Sequence, residues 1–235
     1  MRRTFAALAL LLALIPAAAR GQSSLVAEIA GDKAATPKLF FSLEFGLNFS
    51  HLTGAVDMRH TGGVSFGLTA TIRLSDRFSL VPEITPFLRK GVSDIPLGTT
   101  GDPGLDPFFA DPASSELALD YVDFPVLVTY RLGRFHLGAG PYVALLSTAR
   151  EIFRSEPTSD QSLRFSRDVT SQYKTTDAGL AVEASWTMAK PRRGLGLILH
   201  VRYEAGLLNV RAAPSATGSG RNSVIQVFLS FPFVL

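Results

Sequence analysis

The sequence has no cysteine, and after its first twenty residues it has no long apolar run. The absence of cysteine excludes disulfide bonds and thiolate metal sites. A transmembrane helix needs about 20 consecutive apolar residues, which no later segment provides. Nevertheless, 46% of the residues are hydrophobic. This apolar surface must therefore be buried in a soluble core or turned toward lipid, and the order of residues along the chain has to decide between the two.

Residues 1–21 have the three parts of a secretory signal peptide: two arginines, a short apolar run and a zone of small residues. The pattern predicts cleavage after Gly21, with cleavage after Ala19 as the alternative. Three arginines and no acidic residue leave with this segment, so 20 basic and 20 acidic residues remain. The mature chain is neutral, and we expect no nucleic-acid partner. Residues 22–37 are expected to form a short periplasmic extension.

The last forty residues show the clearest pattern. Apolar and aromatic side chains occupy every second position from Leu195 to Leu207 and again from Ile225 to Leu235. A period of two is that of a β-strand, whose successive side chains point to opposite faces. A tilted strand that crosses a membrane needs about 9–11 residues, more than the usual strand of about five or six. These two segments therefore predict a membrane hairpin.

The same alternation predicts eight strands, at residues 38–50, 62–74, 78–89, 116–131, 135–147, 173–188, 195–210 and 221–235. Long and short connections alternate strictly, as in outer-membrane barrels with short periplasmic turns and longer external loops. We therefore predict an all-β fold, an eight-stranded antiparallel up-and-down transmembrane β-barrel over residues 38–235. The alternative is a soluble periplasmic carrier of the lipocalin type, which would hold its apolar face inside.

Several prolines fall within predicted strands. Pro82, Pro86 and Pro125 each remove a backbone donor from the sheet, and a closed barrel has no edge strand to accommodate them. We expect bulges or positions at the barrel rim there.

Charged residues of both signs take the polar parity of the strands, which in a barrel faces the lumen. The predicted lumen network comprises Glu44, Arg73, Glu83, Arg89, Asp123, Glu183, Arg202 and Glu204. The interior of an eight-stranded barrel is only wide enough for side chains to fill it, and buried charges there should pair. The interpretation is a plugged, structural lumen, with a narrow small-solute channel as the alternative.

Motifs that could carry chemistry have simpler explanations. Ser65 lies in a sequence that matches a hydrolase nucleophile elbow, but strand alternation runs straight through it, whereas the elbow needs a sharp turn. His51 and His60 flank the first external loop, where a lipid-modifying site would be the functional alternative. The acidic loop with Asp102, Asp106 and Asp111 lacks calcium-loop spacing, and its adjoining prolines indicate turns. We predict no enzyme activity, cofactor or metal.

Several segments resemble the recurring strands of the PorT-like outer-membrane β-barrel proteins of Bacteroidetes and relatives. The most specific are Tyr121-x-x-Phe124-Pro125-Val126-Leu127, Gly140-Pro141-Tyr142 and Arg202-Tyr203-x-x-Gly206-Leu207-x-Asn209. The resemblance covers residues 38–235 and implies an eight-stranded barrel but little about activity. Such barrels often end in an aromatic residue that the barrel assembly machinery reads. Here the predicted assembly signal is Phe231, Phe233 and the terminal Leu235, which departs from that pattern.

These predictions favour a monomeric barrel in the outer membrane of a Gram-negative bacterium, of structural, adhesion or envelope-interaction type. External loops 91–115 and 148–172 are expected to be the working surface, because binding residues concentrate on loops held by a rigid scaffold. The expected partners are outer-membrane lipid, including lipopolysaccharide, the barrel assembly machinery and a protein at the external loops.

Overall fold

The computed structural model describes residues 38–53, 59–95, 100–109, 113–158, 161–189, 196–212 and 220–233. The predicted signal peptide, the predicted periplasmic extension and Leu235 lie outside these ranges. The strands are β1 (Leu39–Thr53), β2 (Thr61–Arg73), β3 (Phe78–Ile95), β4 (Ala113–Leu132), β5 (Phe135–Thr158), β6 (Gln161–Asp168), β7 (Thr176–Ala189), β8 (Leu197–Gly206) and β9 (Arg221–Phe233). Short 3-10 helices span Asp106–Phe109 and Thr170–Gln172. Within the described ranges, every helix is too short or too polar to cross a membrane.

Eight of the strands close into an antiparallel barrel. The order around it is β4-β3-β2-β1-β9-β8-β7-β5, and the pairing of β4 with β5 completes the circle. The predicted eight-stranded fold is confirmed. Short turns at residues 74–77 and 133–134 lie at the end where β1 begins. Because short turns of outer-membrane barrels are periplasmic, we call this the periplasmic end and the opposite one the extracellular end.

Apolar side chains cover the outside of the barrel. Large hydrophobic residues with 36% or more of their surface exposed occur on all eight barrel strands, for example Phe45, Val64, Ile84, Val128, Leu137, Leu180, Val201 and Val227. Glu44, Glu83 and Arg202, in contrast, are each less than 8% exposed. A soluble carrier would have the reverse arrangement, so this alternative is wrong.

Strand β5 continues far beyond the predicted end, and β6 pairs with it as a ninth strand outside the barrel circle. The predicted loop at 148–172 is therefore wrong in most of its length, because residues 148–158 and 161–168 form a β-hairpin. Residues 91–95 and 113–115 of the other predicted loop likewise belong to β3 and β4. Outside the bilayer, the outward face of a strand contacts water and does not have to be apolar. The alternation that identifies membrane strands is therefore weaker there.

Pro82, Pro86 and Pro125 lie at interruptions of the sheet. Pro86 falls in a β-bulge of β3, between the pairs Thr85–Asp123 and Leu88–Tyr121, as predicted. Pro82 lies beside a gap in the pairing of β2 with β3, and Pro125 beside a gap in the pairing of β3 with β4. These two are neither in a bulge nor at the rim. A gap in pairing without a register shift is enough to accommodate the missing donor.

The upper part of β3 separates from β2. Their pairing ends at Ile84. Farther along β3, Ser93 forms an isolated bridge with Arg59, which lies just before β2 in the chain. Between these points, side chains of β1 satisfy the edge of β3: the amide of Asn48 donates to the carbonyl of Arg89, and Ser50 donates to that of Gly91 over 3.2 Å. This segment of β3 therefore lies against the inner face of β1 and fills part of the barrel mouth.

Candidate functional site

An arginine-centred group of charges occupies the middle of the barrel. Arg202 Nη1 lies 2.6 Å from Glu83 Oε2, and Arg202 Nε donates to Glu183 Oε2 over 2.9 Å. The other oxygen of Glu183 contacts His200 Nδ1 at 2.8 Å, and His200 Nε2 contacts Ser230 Oγ at 2.8 Å. The guanidinium thus bridges β3, β7 and β8, because its planar fork can bind two carboxylates at once. We call these residues the Arg202 group.

Glu44 completes the acidic side of this region. It accepts a hydrogen bond from Thr69 and has no ion pair among the described residues. Together with Glu83 and Glu183, it gives the middle of the lumen more carboxylates than the single guanidinium can pair.

A second group of charges is centred on Lys90. Its ammonium lies 3.4 Å from Glu204, 3.5 Å from Asp177 and 3.8 Å from Asp123. All four side chains are at most 1% exposed. The ammonium also lies 4.3 Å from the ring centre of Tyr142. The ammonium and both oxygens of Asp123 have no hydrogen-bond partner in the described part of the chain. We call these residues the Lys90 group.

Six of the eight predicted lumen residues lie in these two groups or beside them: Glu44, Glu83, Asp123, Glu183, Arg202 and Glu204. Arg73 instead lies exposed near the periplasmic mouth, with its guanidinium 5.3 Å from the ring centre of Phe40. The prediction for Arg89 is wrong. The bulge at Pro86 changes which side chains of β3 face the barrel centre, so Lys90 points there and Arg89 pairs with Asp120 at 2.9 Å on the other face.

Sequence reasoning missed Lys90 and Asp177 as members of the network. Asp177 has the polar parity of its strand, so the pattern contained a signal for it. Lys90 had none, because counting parity past a bulge requires knowledge of where the bulge lies.

Apolar side chains close the extracellular side of the lumen. This cluster of buried side chains, which we call the apolar plug, comprises Leu52, Val92, Leu117, Leu119, Ala149, Val169 and Val210. They belong to the extracellular ends of the strands or to the residues that follow them. Because an apolar, filled cross-section excludes water and ions, it separates the charged middle of the barrel from the outside.

On the periplasmic side of the Arg202 group, the lumen opens into a cavity of about 320 Å³ lined by charged, hydroxyl and apolar side chains, which we call the periplasmic chamber. Glu44, Glu83 and Glu183 line its inner part, and Arg73 and Arg131 line its mouth. The walls between them carry hydroxyl groups: Ser42, Thr69, Thr71, Ser79, Thr129 and Ser185. As far as the described residues show, the lumen is thus a chamber that opens toward the periplasm and is closed toward the outside.

Beyond the lipid-facing band, the upper parts of β3, β4 and β5 form a sheet with β6, which we call the extracellular sheet. Phe109, from the first 3-10 helix, packs on its inner face, with ring centres 6.1 Å from Phe153 and 6.4 Å from Phe165. Arg167 pairs with Glu151 on the same face. Strand β6 has β5 on one side only, so its other edge is unpaired within the described residues.

The opposite face of the extracellular sheet carries basic residues. Arg154 stands directly across from Arg164, and Arg150 across from Asp168. Arg154 Nη1 also contacts Glu116 Oε2 at 2.7 Å. Like charges placed opposite each other destabilise a strand pair unless they are compensated, and Glu116 compensates only one of the two arginines.

Two carboxyl groups of this extracellular region are perturbed. Burial alone would raise the pKa of Glu116, but hydrogen bonds from Thr61 and Arg154 hold this pKa below its ordinary value. The backbone and side chain of Thr170 lower the pKa of Asp168. Both carboxylates are therefore ionised at neutral pH and serve as local structural acceptors.

The remaining candidate residues make local contacts within the described part of the chain. The rings of His51 and His60 lie 5.1 Å apart. Asp106 accepts hydrogen bonds from the backbone and hydroxyl of Thr100, and Asp102 accepts from Gly104, as in turns. Asp111 lies outside the described residues. In the part of the chain that the structure describes, no three His, Asp or Glu residues are arranged to hold a metal ion.

The predicted assembly signal is placed only in part. Phe231 lies in β9, with its ring centre 6.2 Å from that of Phe45 on the outside of the barrel. Phe233 is the last residue of β9. Leu235 lies beyond the described residues.

Solved structures of several outer-membrane proteins match this chain over most of its length. Ail, the attachment invasion locus protein of Yersinia pestis, is 10% identical over 83% of this chain and 98% of that one, with a TM-score of 0.40. Neisserial surface protein A is 11% identical over 83% and 97%, with a TM-score of 0.42. OprG of Pseudomonas aeruginosa is 14% identical over 83% and 96%, with a TM-score of 0.32. Similarities this low do not indicate what this chain does, and no curated protein matches it significantly.

The family comparison is decisive for identity. The sequence profile described as the outer membrane protein beta-barrel domain matches residues 32–211, which is most of the chain and includes β1 to β8. The closed barrel, its apolar exterior and its enclosed charges agree with this match. The chain belongs to the outer membrane protein beta-barrel domain family and resides in the outer membrane.

Proposed function

We propose that this protein is a closed membrane anchor that presents the extracellular sheet to macromolecules at the cell surface. The observation that carries the proposal is the continuation of β3, β4 and β5 beyond the lipid band, where β6 adds a further strand. A barrel that only needed to span the membrane would have no use for a 24-residue strand such as β5, since about 9–11 residues cross the bilayer.

Two features of the extracellular sheet suit it for contact with a partner. The unpaired edge of β6 offers backbone groups to which an extended segment of another protein can add as a strand. Arg150 and Arg164, on the outward face, offer charges that suit phosphate groups of lipopolysaccharide in the outer leaflet. The proposed partners are therefore a protein at the β6 edge and lipopolysaccharide beside the sheet.

The filled lumen argues against the alternative of a small-solute channel. A conducting path would have to cross both charge groups and the apolar plug, where side chains such as Leu119 and Lys90 have no exposed surface. Planar-bilayer recordings of the purified protein are expected to show no conductance at any voltage. Stable single-channel openings would overturn this part of the proposal.

Replacement of residues 150–168 by a two-residue turn tests the proposed role of the sheet. We expect the shortened barrel to keep its heat-modifiable electrophoretic mobility, because its lipid-spanning strands are intact. We also expect its cells to adhere less than wild-type cells to immobilised matrix proteins and to cells. Unchanged adherence across those surfaces, with equal protein at the cell surface, would contradict the proposal.

Three further expectations belong to the same proposal. The barrel acts as a monomer without enzymatic activity, and incubation with lipopolysaccharide followed by mass analysis should leave the lipid unchanged. The end of β9 serves as the signal for the barrel assembly machinery. The strand segments that resemble the PorT-like group support membership of that group. An origin in a Gram-negative bacterium, from Bacteroidetes or a relative, would follow from that membership.

A further inference from the structure

We propose that the periplasmic chamber binds a short zwitterionic peptide, amino end inward, with its ammonium at Glu44 and its carboxylate at Arg73 and Arg131. This site is separate from the extracellular sheet and does not depend on the function proposed for it. The inference follows from the shape of the chamber, the separation of charge along it and the lack of a direct salt bridge to Glu44 among the described residues.

The inner end of the chamber is acidic. Glu44, Glu83 and Glu183 line it, and Arg202 Nη1 and Nε bind Glu83 and Glu183 directly. Glu44 is only 6% exposed, and its described hydrogen-bond donor is the hydroxyl of Thr69. A buried carboxylate that makes no direct salt bridge is incompletely stabilised, so a cationic group that reaches it from the chamber gains a strong interaction.

The mouth of the chamber is basic. Arg73, Arg77 and Arg131 line it together with one acidic residue, Asp76. Arg131 donates to the carbonyl of Asp76 with one of its five N–H groups, which leaves others to bind a carboxylate. The chamber thus has an electrostatic direction, negative inside and positive at the opening. A ligand with one charge of each sign, at opposite ends, matches this direction with its cationic end inward.

The spacing of the charges sets the length of the ligand. The guanidinium of Arg73 lies over Phe40, four residues before Glu44 on β1. Four strand residues span about 13 Å, and the side chains reach toward each other across part of it. An extended tripeptide spans about 10 Å. Ligand sites for small molecules begin at about 300 Å³, which the chamber reaches with about 320 Å³.

The chemistry of the walls suits a peptide better than an ion. Hydroxyl groups such as those of Ser42, Thr71 and Thr129 line the walls, and they can both donate to and accept from amide groups. No three acidic or histidine side chains of the described residues are arranged for a metal ion. An organic ammonium needs only one well-placed carboxylate and a few acceptors.

Titration calorimetry of the detergent-solubilised protein with tri-alanine and two blocked analogues tests the proposal. We expect tri-alanine to bind and N-acetyl-tri-alanine to bind at least about tenfold more weakly, because the neutral amide loses a charge-assisted bond. Tri-alanine amide should also bind more weakly, through loss of the carboxylate at the mouth. Because these arms use the wild-type protein, they do not depend on the folding of any variant.

Variants then assign the two ends. Glu44→Gln should weaken the binding of tri-alanine about tenfold while leaving barrel mobility unchanged, whereas the extracellular control Glu151→Gln should bind normally. Arg73→Gln with Arg131→Gln should bind tri-alanine and its amide equally, and the exposed control Arg59→Gln should still distinguish them. Equal binding of tri-alanine and its acetylated form, or no binding of tri-alanine by the wild type, would overturn the proposal.

Discussion

The Arg202 group and the Lys90 group both balance buried carboxylates with a cation, but the two cations do so with different geometry. In the Arg202 group, a guanidinium meets Glu83 and Glu183 over 2.6 and 2.9 Å through directed hydrogen bonds. In the Lys90 group, an ammonium meets three carboxylates at 3.4 to 3.8 Å, and no described residue forms a hydrogen bond with it. Arginine binds as a fork with fixed geometry, whereas lysine acts as a point charge that several acids share.

The comparison shows that a buried cation can be stabilised either by directed hydrogen bonds or by the acids and aromatic rings that enclose it. The Arg202 group borders the chamber, and its directed bonds keep the pairing specific. The Lys90 group lies between aromatic rings, with Tyr142 4.3 Å and Tyr121 5.3 Å from the ammonium. There the charge is confined by its surroundings, and its removal should have the larger effect.

Lys90→Met should give the largest loss of stability. It leaves Asp123, Asp177 and Glu204 enclosed without their cation, and breaking a buried ion pair in this way costs about 3–5 kcal/mol. Urea unfolding in lipid vesicles, followed by electrophoretic mobility, measures the change. A loss below about 1 kcal/mol would mean that the acids do not depend on Lys90, and the surface variant Arg59→Gln is the control.

Arg202→Lys should have the second largest effect. The charge stays, but an ammonium cannot make the forked contacts with Glu83 and Glu183, and hydrogen bonds to charged groups contribute about 1.5–3 kcal/mol each. We expect a loss of about 2 kcal/mol in the same unfolding measurement. If lysine restored full stability, direction would not matter at this site, and the distinction between the two groups would fail.

Glu116→Gln should have a smaller effect that depends on pH. The pKa of Glu116 is lower in the folded protein than when unfolded, so its ionised form stabilises the fold above the unfolded pKa. This stabilisation is lost as the pH falls through the folded pKa. At pH 7 the variant should be less stable by about 1 kcal/mol. Unfolding curves of the two proteins should converge as the pH falls through the folded pKa of Glu116, and a constant difference would contradict the assignment.

Asp123→Asn should change stability least. Neither oxygen of Asp123 has a hydrogen-bond partner in the described part of the chain, and two other acids remain to balance Lys90. Removing a surplus buried charge is neutral or mildly stabilising. We therefore expect the free energy of unfolding, measured with urea, to change by no more than about 1 kcal/mol. A loss as large as that of Lys90→Met would show that all three acids are required, and that the Lys90 group is a fixed structure after all.

The sequence predicted the barrel well because one physical rule acts on every membrane strand. Side chains that face lipid must be apolar, so Phe45, Leu137 and Val201 mark their strands by alternation alone. The same rule placed Glu44, Glu183 and Arg202 inside. The rule fails at Arg89, because the bulge at Pro86 shifts the alternation of the side chains along β3. A proline alone does not indicate whether the strand will bulge or will only leave a gap in the pairing, as beside Pro82 and Pro125.

The sequence by itself determined the eight lipid-spanning strands, the outward face of each and most of the enclosed charges, since local alternation encodes all three. Only the tertiary structure decided the rest. It turned a polar segment into the hairpin of β5 and β6, brought Lys90 to its three acids, and closed the lumen on one side while leaving a chamber on the other. These features depend on contacts between residues far apart in the chain, where strand bulges and separations set the geometry and no local pattern records them.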